Sequence, residues 1–175
     1  MRVHTFVDET KERGLIMAAA TLGPDSLSRA RQAIARLTLP NQRSIHFCKE
    51  RNDRRRLIIA ALRVLDPIIV LYDATGHRDL RIGRELCLRA LVADAAKIET
   101  ERLVLELDDS RRAADAAVLN REIRLAGMIG QIRYDHLRAY DDHLLVLPDA
   151  IAWSWARGGE WRAMVRPMIR EVRNV

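Results

Sequence analysis

The fold turns on Val3-His4-Thr5-Phe6-Val7-Asp8-Glu9, which the polar turn Thr10–Arg13 and Gly14 join to Leu15-Ile16-Met17-Ala18-Ala19-Ala20-Thr21-Leu22. Val3 and Thr5 alternate with His4 and Phe6 in the first stretch, and the second is an extended apolar run closed by Gly23-Pro24. Two extended segments with a polar turn between them predict an antiparallel hairpin. Downstream, Asp25 or Ser26 starts a helix to about Leu37 that puts Leu27, Ala30, Ile34 and Leu37 on one face. Pro40-Asn41 breaks it, and Ser44–Cys48 reads as a short third strand. The pattern then alternates: a helix from Asn52 or Asp53 to Leu65, the apolar strand Ile68–Tyr72, and a helix from Leu80 to Ile98. Arg102–Leu107 reads as a strand, Arg111–Gly127 as a helix, and Gln131–Leu137 as a short strand. Helices are expected over Asp141–Ala156 and Trp161–Val172, around Gly158-Gly159. A hairpin followed by β-α-β-α-β predicts an α/β fold, a mixed sheet of five or six strands flanked by helices. No repeat, linker or low-complexity tract divides residues 1–175, so one domain is expected.

Composition bounds the function. The chain has 175 residues, 49% of them hydrophobic and 31% charged, which excludes disorder and fibrous classes. Its longest uninterrupted apolar run, Leu15–Ala20, is far short of a bilayer's ~20 residues. The opening Met1-Arg2-Val3-His4 predicts no signal peptide, so a cytoplasmic protein with no membrane partner is expected. Cys48 and Cys87 form no C-x-x-C pair and read as two buried thiols in a reducing compartment. The net charge is +6, carried by 27 arginines and 3 lysines. That balance permits a phosphate-bearing partner, with nucleic acid the expected one. The charge is uneven: Arg51–Arg63 holds five Arg and one Asp, and Ile151–Val175 five Arg and two Glu, whereas Glu101–Ala126 holds five Arg and six acids.

Ligands of such sheets bind beyond the carboxyl ends of the strands. Acids stand there in this chain: Asp8-Glu9 closes the first strand, Asp73 the Ile68–Tyr72 strand and Asp108-Asp109 the Arg102–Leu107 strand, while Asp149 lies in a late helix. Strand-end acids also serve as turn formers, so any one of them carries little weight alone. Converging carboxylates suit Mg²⁺ or Mn²⁺, hard ions that take oxygen ligands. Two such ions about 4 Å apart can position water and stabilise the leaving oxygen in phosphodiester cleavage. Glu50 or Asp53 could add a helical acid, although a helix N-terminal charge answering the dipole is the plainer role. His46 could touch phosphate or simply pack at a sheet end. His77-Arg78-Asp79 imitates a kinase triplet, but Arg84 stands where asparagine is needed and no glycine-rich loop exists. Trp153, Trp155 and Trp161 could stack bases or pin the last helix to the core.

Val3–Thr10 resembles the opening strand of the domain-of-unknown-function 3800 family, in which apolar residues precede Asp-Glu-Ser-Gly. Ser44-Ile45-His46-Phe47-Cys48-Lys49 is similar to that family's next landmark. Leu103–Asp108 resembles its later strand ending in Asp. Ile132-Arg133-Tyr134-Asp135 and Leu144–Trp153 resemble its last strand and closing helix, where Asp149 takes the place of the Asp in Gln-x-Ala-Asp. Thr10-Lys11 replaces Ser-Gly, and Val146 and Pro148 replace Gln and Ala. The resemblance implies a ribonuclease H-like fold, whose β-β-β-α-β-α-β order the pattern above shares. It also implies a metal-dependent nuclease with Asp8, Glu9, Asp108 and Asp149 as catalytic metal ligands. Ribonuclease H order, with Ile68–Tyr72 counted as the fourth strand, instead pairs Asp73 with Asp8. A non-catalytic nucleic-acid or protein-binding module and a small-molecule phosphohydrolase are the alternatives on the same fold.

Overall fold

In the structure, a computed structural model that describes residues 2–175, six strands form one mixed sheet in the order β5-β4-β1-β2-β3-β6. β1 (Val3–Thr10) and β2 (Ile16–Leu22) are the expected antiparallel hairpin, with Asp8 opposite Ala18. β3 (Ile68–Asp73) runs antiparallel to β2, β4 (Thr100–Glu106) parallel to β1, and β5 (Arg133–Leu137) parallel to β4. β6 (Ile169–Asn174) adds a parallel strand outside β3. The carboxyl ends of β1, β3, β4, β5 and β6 therefore share one edge. Gly14, at φ +95°, turns the chain into β2 where an added Cβ would lie 3.0 Å from Thr75 Cγ2.

Side-chain alternation divides the core. Phe6, Ala18, Ala20, Leu71 and Val104 face α1 (Pro24–Leu37), α2 (Asn52–Val64), α5 (Val146–Arg157) and α6 (Gly159–Val165). Val7, Met17, Ala19, Tyr72, Leu103 and Leu105 face α3 (Leu80–Lys97) and α4 (Arg112–Leu125). α5 is buried along almost its whole length, with Val146, Leu147, Ala150 and Ile151 under the sheet, and stops at Gly158, φ +77°.

Two expected elements take other forms. Ser44–Cys48 is not a strand: it leads into a 3-10 turn, Phe47–Lys49. Side chains satisfy the backbone there without a ladder. Phe47 N–H donates to Asp149 at 3.0 Å, and Arg55 donates to the carbonyls of Phe47 and Cys48 at 3.0 and 2.6 Å. Ile68–Asp73 thereby becomes the third strand. The expected helix over Trp161–Val172 ends at Val165, because Pro167 cannot continue it, and β6 follows. Cys87 is buried as expected, whereas Cys48 is exposed. Trp153 lies edge-on to both Phe47 and Trp161, at 5.4 and 5.6 Å between ring centroids, and so pins α6 to the core. No helix among the described residues is long and apolar enough to cross a membrane.

Candidate functional site

The strand parity of β1 separates its two terminal acids. Phe6 points to the α5 side and Val7 to the α3 side, so Asp8 follows Phe6 and Glu9 follows Val7. In β4 the ladder pairs Phe6 with Val104 and Val7 with Leu105, and its next step places Glu106 beside Asp8 on the same face. Asp149, in the first turn of α5, comes down onto that face from above.

Three half-buried carboxylates thus share one face, near enough for their charges to act on one another. Asp8 Oδ1 accepts the Glu9 N–H at 2.8 Å, Asp149 Oδ2 accepts the Phe47 N–H, and the Ala139 N–H serves Glu106. Burial, then the charges of Asp149, Glu9 and Glu106, push the Asp8 carboxyl well above the usual carboxylate range. Burial raises Asp149 too. Glu106 is pushed up to about 7 by burial and by the charges of Asp149 and Glu9. Among the described residues no Lys or Arg forms an ion pair with Asp8, Glu106 or Asp149. Nor, among them, does any group of three or more His, Cys, Asp or Glu side chains stand where it could hold a metal ion.

The remaining sequence candidates lie elsewhere. Glu9 points to the α3 side, where Arg84 Nη1 approaches Glu9 Oε1 at 2.6 Å and Lys11 at 3.3 Å. Asp108 lies beyond the end of β4. Hydrogen bonds from the Ser110 hydroxyl and N–H, at 2.5 and 3.0 Å, and the nearby Lys11 hold its carboxyl below the usual range. That is a turn-forming role, and the strand-end acid beside Asp8 is Glu106. Asp73 closes β3, opposite Ile16 of β2 and so level with Thr10, which puts it two strands across and two residues along from Asp8, about 12 Å away. It caps its own turn through the Thr75 N–H and hydroxyl, at 2.9 and 2.6 Å. Glu50 binds Gln42 and Arg54, at 2.8 and 3.1 Å, and Asp53 is exposed in the first turn of α2. Reading the parity of Val104-Leu105-Glu106 against Phe6-Val7-Asp8 would have found Glu106, but only with the β1–β4 register in hand.

Behind Glu9 lies a charge network that the sequence did not reveal. Arg84 of α3, 5% exposed, gives Nε and Nη2 to the two oxygens of Asp115 of α4, each at 2.7 Å, while Nη1 faces Glu9. His136 of β5 backs Asp115 with Nε2 at 3.7 Å. Burial by itself would raise the Asp115 carboxyl; the two hydrogen bonds from Arg84, with the nearby His136, outweigh it and hold the group below its ordinary value. One guanidinium thereby ties together β1, α3 and α4 directly beneath the strand end that carries Asp8.

The carboxylate crowding has a thermodynamic consequence. Glu106 moves from an ordinary 4.5 to about 7, so the folded protein holds this proton more tightly than the unfolded chain does. Its stability contribution is complete below an ordinary glutamate pKa and is lost as pH rises through the folded value. Discounting the shift for solvent access, chelator-treated protein should lose about 1–2 kcal/mol between about pH 5 and about pH 7.5. Glu106→Gln should remove that loss. Urea unfolding at the two pH values measures it, and identical profiles for the two proteins would refute the coupling.

A comparison of the chain with models of known protein families finds no match, and a comparison with curated proteins finds none either.

Proposed function

We propose that this protein is a divalent-metal-dependent nuclease of ribonuclease H-like architecture that hydrolyses phosphodiesters at Asp8, Glu106 and Asp149. The observation that carries this reading is the crowding of three carboxylates on one face, their charges pushing Asp8 and Glu106 up, with no Lys or Arg ion-paired to any of the three among the described residues. The strand order supports it: an antiparallel β1-β2-β3 meander, with β4 and β5 added in parallel beside β1, is what the resemblance to a ribonuclease H-like family leads one to expect. The ligand chemistry fits Mg²⁺ or Mn²⁺, because one oxygen each of Asp8 and Asp149 is fixed by a backbone N–H. Among the described residues no protein donor reaches the other oxygen of either. As they stand Asp8, Glu106 and Asp149 form no group able to hold an ion; drawn together they would hold the metal, which when bound would supply Lewis-acid polarisation of the phosphate and a more acidic water. Asp8 and Glu106, on adjacent strands, set the spacing of two carboxylates by the sheet itself. Asp149 is aimed from α5 by the Phe47 N–H, so the 3-10 turn at residues 47–49 is part of the site's framework. Arg84 keeps Glu9 on the opposite face and leaves the centre to the other three acids.

End-labelled single-stranded RNA, single-stranded DNA and an RNA–DNA hybrid, incubated with Mg²⁺ or Mn²⁺, test the proposal. At least one should be cleaved, and chelator or Asp8→Asn should each reduce cleavage about a thousandfold. Failure with all three substrates and both ions would overturn the nuclease reading in favour of a binding module or a small-molecule phosphohydrolase.

A further inference from the structure

Beside the acidic centre lies a second feature of opposite charge. Gln42, Arg43, His46, Lys49, Glu50 and Tyr140 line an open pocket of about 410 Å³. Both ends of its wall adjoin, in sequence, residues whose backbone serves the centre. His46 precedes Phe47, whose N–H holds Asp149, and His46 itself acts electrostatically on the Asp149 carboxylate. Tyr140 follows Ala139, whose N–H serves Glu106.

The pocket's charge is positive because its single acid is already matched. Glu50 accepts from Gln42 through one oxygen and from Arg54 through the other, at 2.8 and 3.1 Å. Among the described residues no carboxylate forms an ion pair with Arg43 or Lys49, and the His46 ring hydrogen-bonds only with the Ser44 hydroxyl, at 3.4 Å. The pocket also has an aromatic wall. Tyr140 is 39% exposed, and the Arg43 guanidinium lies over its ring 4.1 Å from the centroid. Such a stacked pair gives a flat surface with a positive rim, which suits a nucleobase. Lys49 and His46, the latter beside the Phe47 that holds Asp149, suit a phosphate.

We propose that this pocket binds one nucleotide of a single strand, the base against Tyr140 and the phosphate between Lys49 and His46. Its place in a reaction rests on the nuclease reading: the nucleotide held here adjoins the phosphodiester presented to Asp8, Glu106 and Asp149. A stacked base must be unpaired, so the site selects single strands or frayed ends over intact duplex.

Calorimetric titration of the full-length protein with adenosine 5′-monophosphate in excess chelator, so that the acidic centre takes no part through a metal, tests the proposal. Wild type should bind, and both adenosine and ribose 5-phosphate should bind at least about tenfold more weakly, since each lacks one of the two contacts. Tyr140→Ala and Lys49→Glu should each weaken nucleotide binding about tenfold with an unchanged circular dichroism spectrum. Arg124→Glu, on α4 across the sheet, should not change it. No measurable binding, equal binding by all four proteins, or ribose 5-phosphate matching the nucleotide would overturn the proposal. Nucleotide binding without any cleavage would overturn the nuclease reading and leave the pocket standing. Cleavage with no nucleotide binding would do the reverse.

Discussion

Replacing Arg84 with methionine should destabilise the protein by about 3–5 kcal/mol, the usual cost of removing one member of a buried ion network. The guanidinium is 5% exposed and Asp115 only 2%, so water cannot replace the lost hydrogen bonds. Asp115 would keep only the His136 contact at 3.7 Å, and Glu9 only Lys11 at 3.3 Å. Lysine is no substitute, because it cannot present the two parallel N–H donors that meet Asp115 at 2.7 Å. Arg84→Lys should therefore fall close to Arg84→Met. The penalty comes from stranded charge, so Arg84→Met with Asp115→Leu should recover more than half of it. Chemical denaturation of the three variants measures these differences. A loss below about 1 kcal/mol for Arg84→Met, or no recovery in the double variant, would show that the network is not what joins β1, α3 and α4.

The acid that completes the centre separates two nearby residues sharply. Glu106→Gln should lower metal-dependent cleavage about a thousandfold, whereas Asp108→Asn should leave it within about threefold. Glu106 lies on the β4 ladder beside Asp8, while Asp108 is spent on the Ser110 turn and Lys11. Stability offers a second reading of the same contrast. Above pH 7, Glu106→Gln removes one of three mutually repelling carboxylates and should raise chelator-treated stability by about 1–2 kcal/mol. Asp108→Asn relieves no such crowding and, at a partly exposed site, should cost under about 1 kcal/mol. If Asp108→Asn abolished cleavage and Glu106→Gln did not, the centre would have to be rebuilt around the loop after β4.

The arginine-rich segment Arg51–Arg63 also divides on close reading. Arg54 and Arg55 are structural: Arg54 donates to Leu37 O at 2.8 Å and pairs with Glu50, and Arg55 ties down the 47–49 turn and stacks over Trp153 at 4.3 Å. Arg56 reaches Glu160 of α6 at 3.1 Å. Much of the local +4 is thus used within the protein, and the uncompensated charge beside the acidic centre comes from Arg43 and Lys49 instead.

The sequence by itself determined what local pattern can carry. The alternation of Val3–Glu9, the polar turn and Gly14 specify the hairpin, and apolar runs bounded by Asp specify β3 and β4. Asp8 and Asp149 could be singled out because each stands where a strand or helix presents a carboxylate to the sheet's edge. Only the tertiary structure decided which acids meet. A strand's two faces alternate residue by residue, so the partner of Asp8 depends on the β1–β4 register, which sequence spacing does not reveal. A single step along the chain takes Asp8, in the centre, to Glu9, tied to Arg84 on the far face. Two steps take Glu106, in the centre, to Asp108, outside it. The same holds for Ser44–Cys48, whose extended pattern yields to a turn once Arg55 and Asp149, distant in sequence, satisfy its backbone.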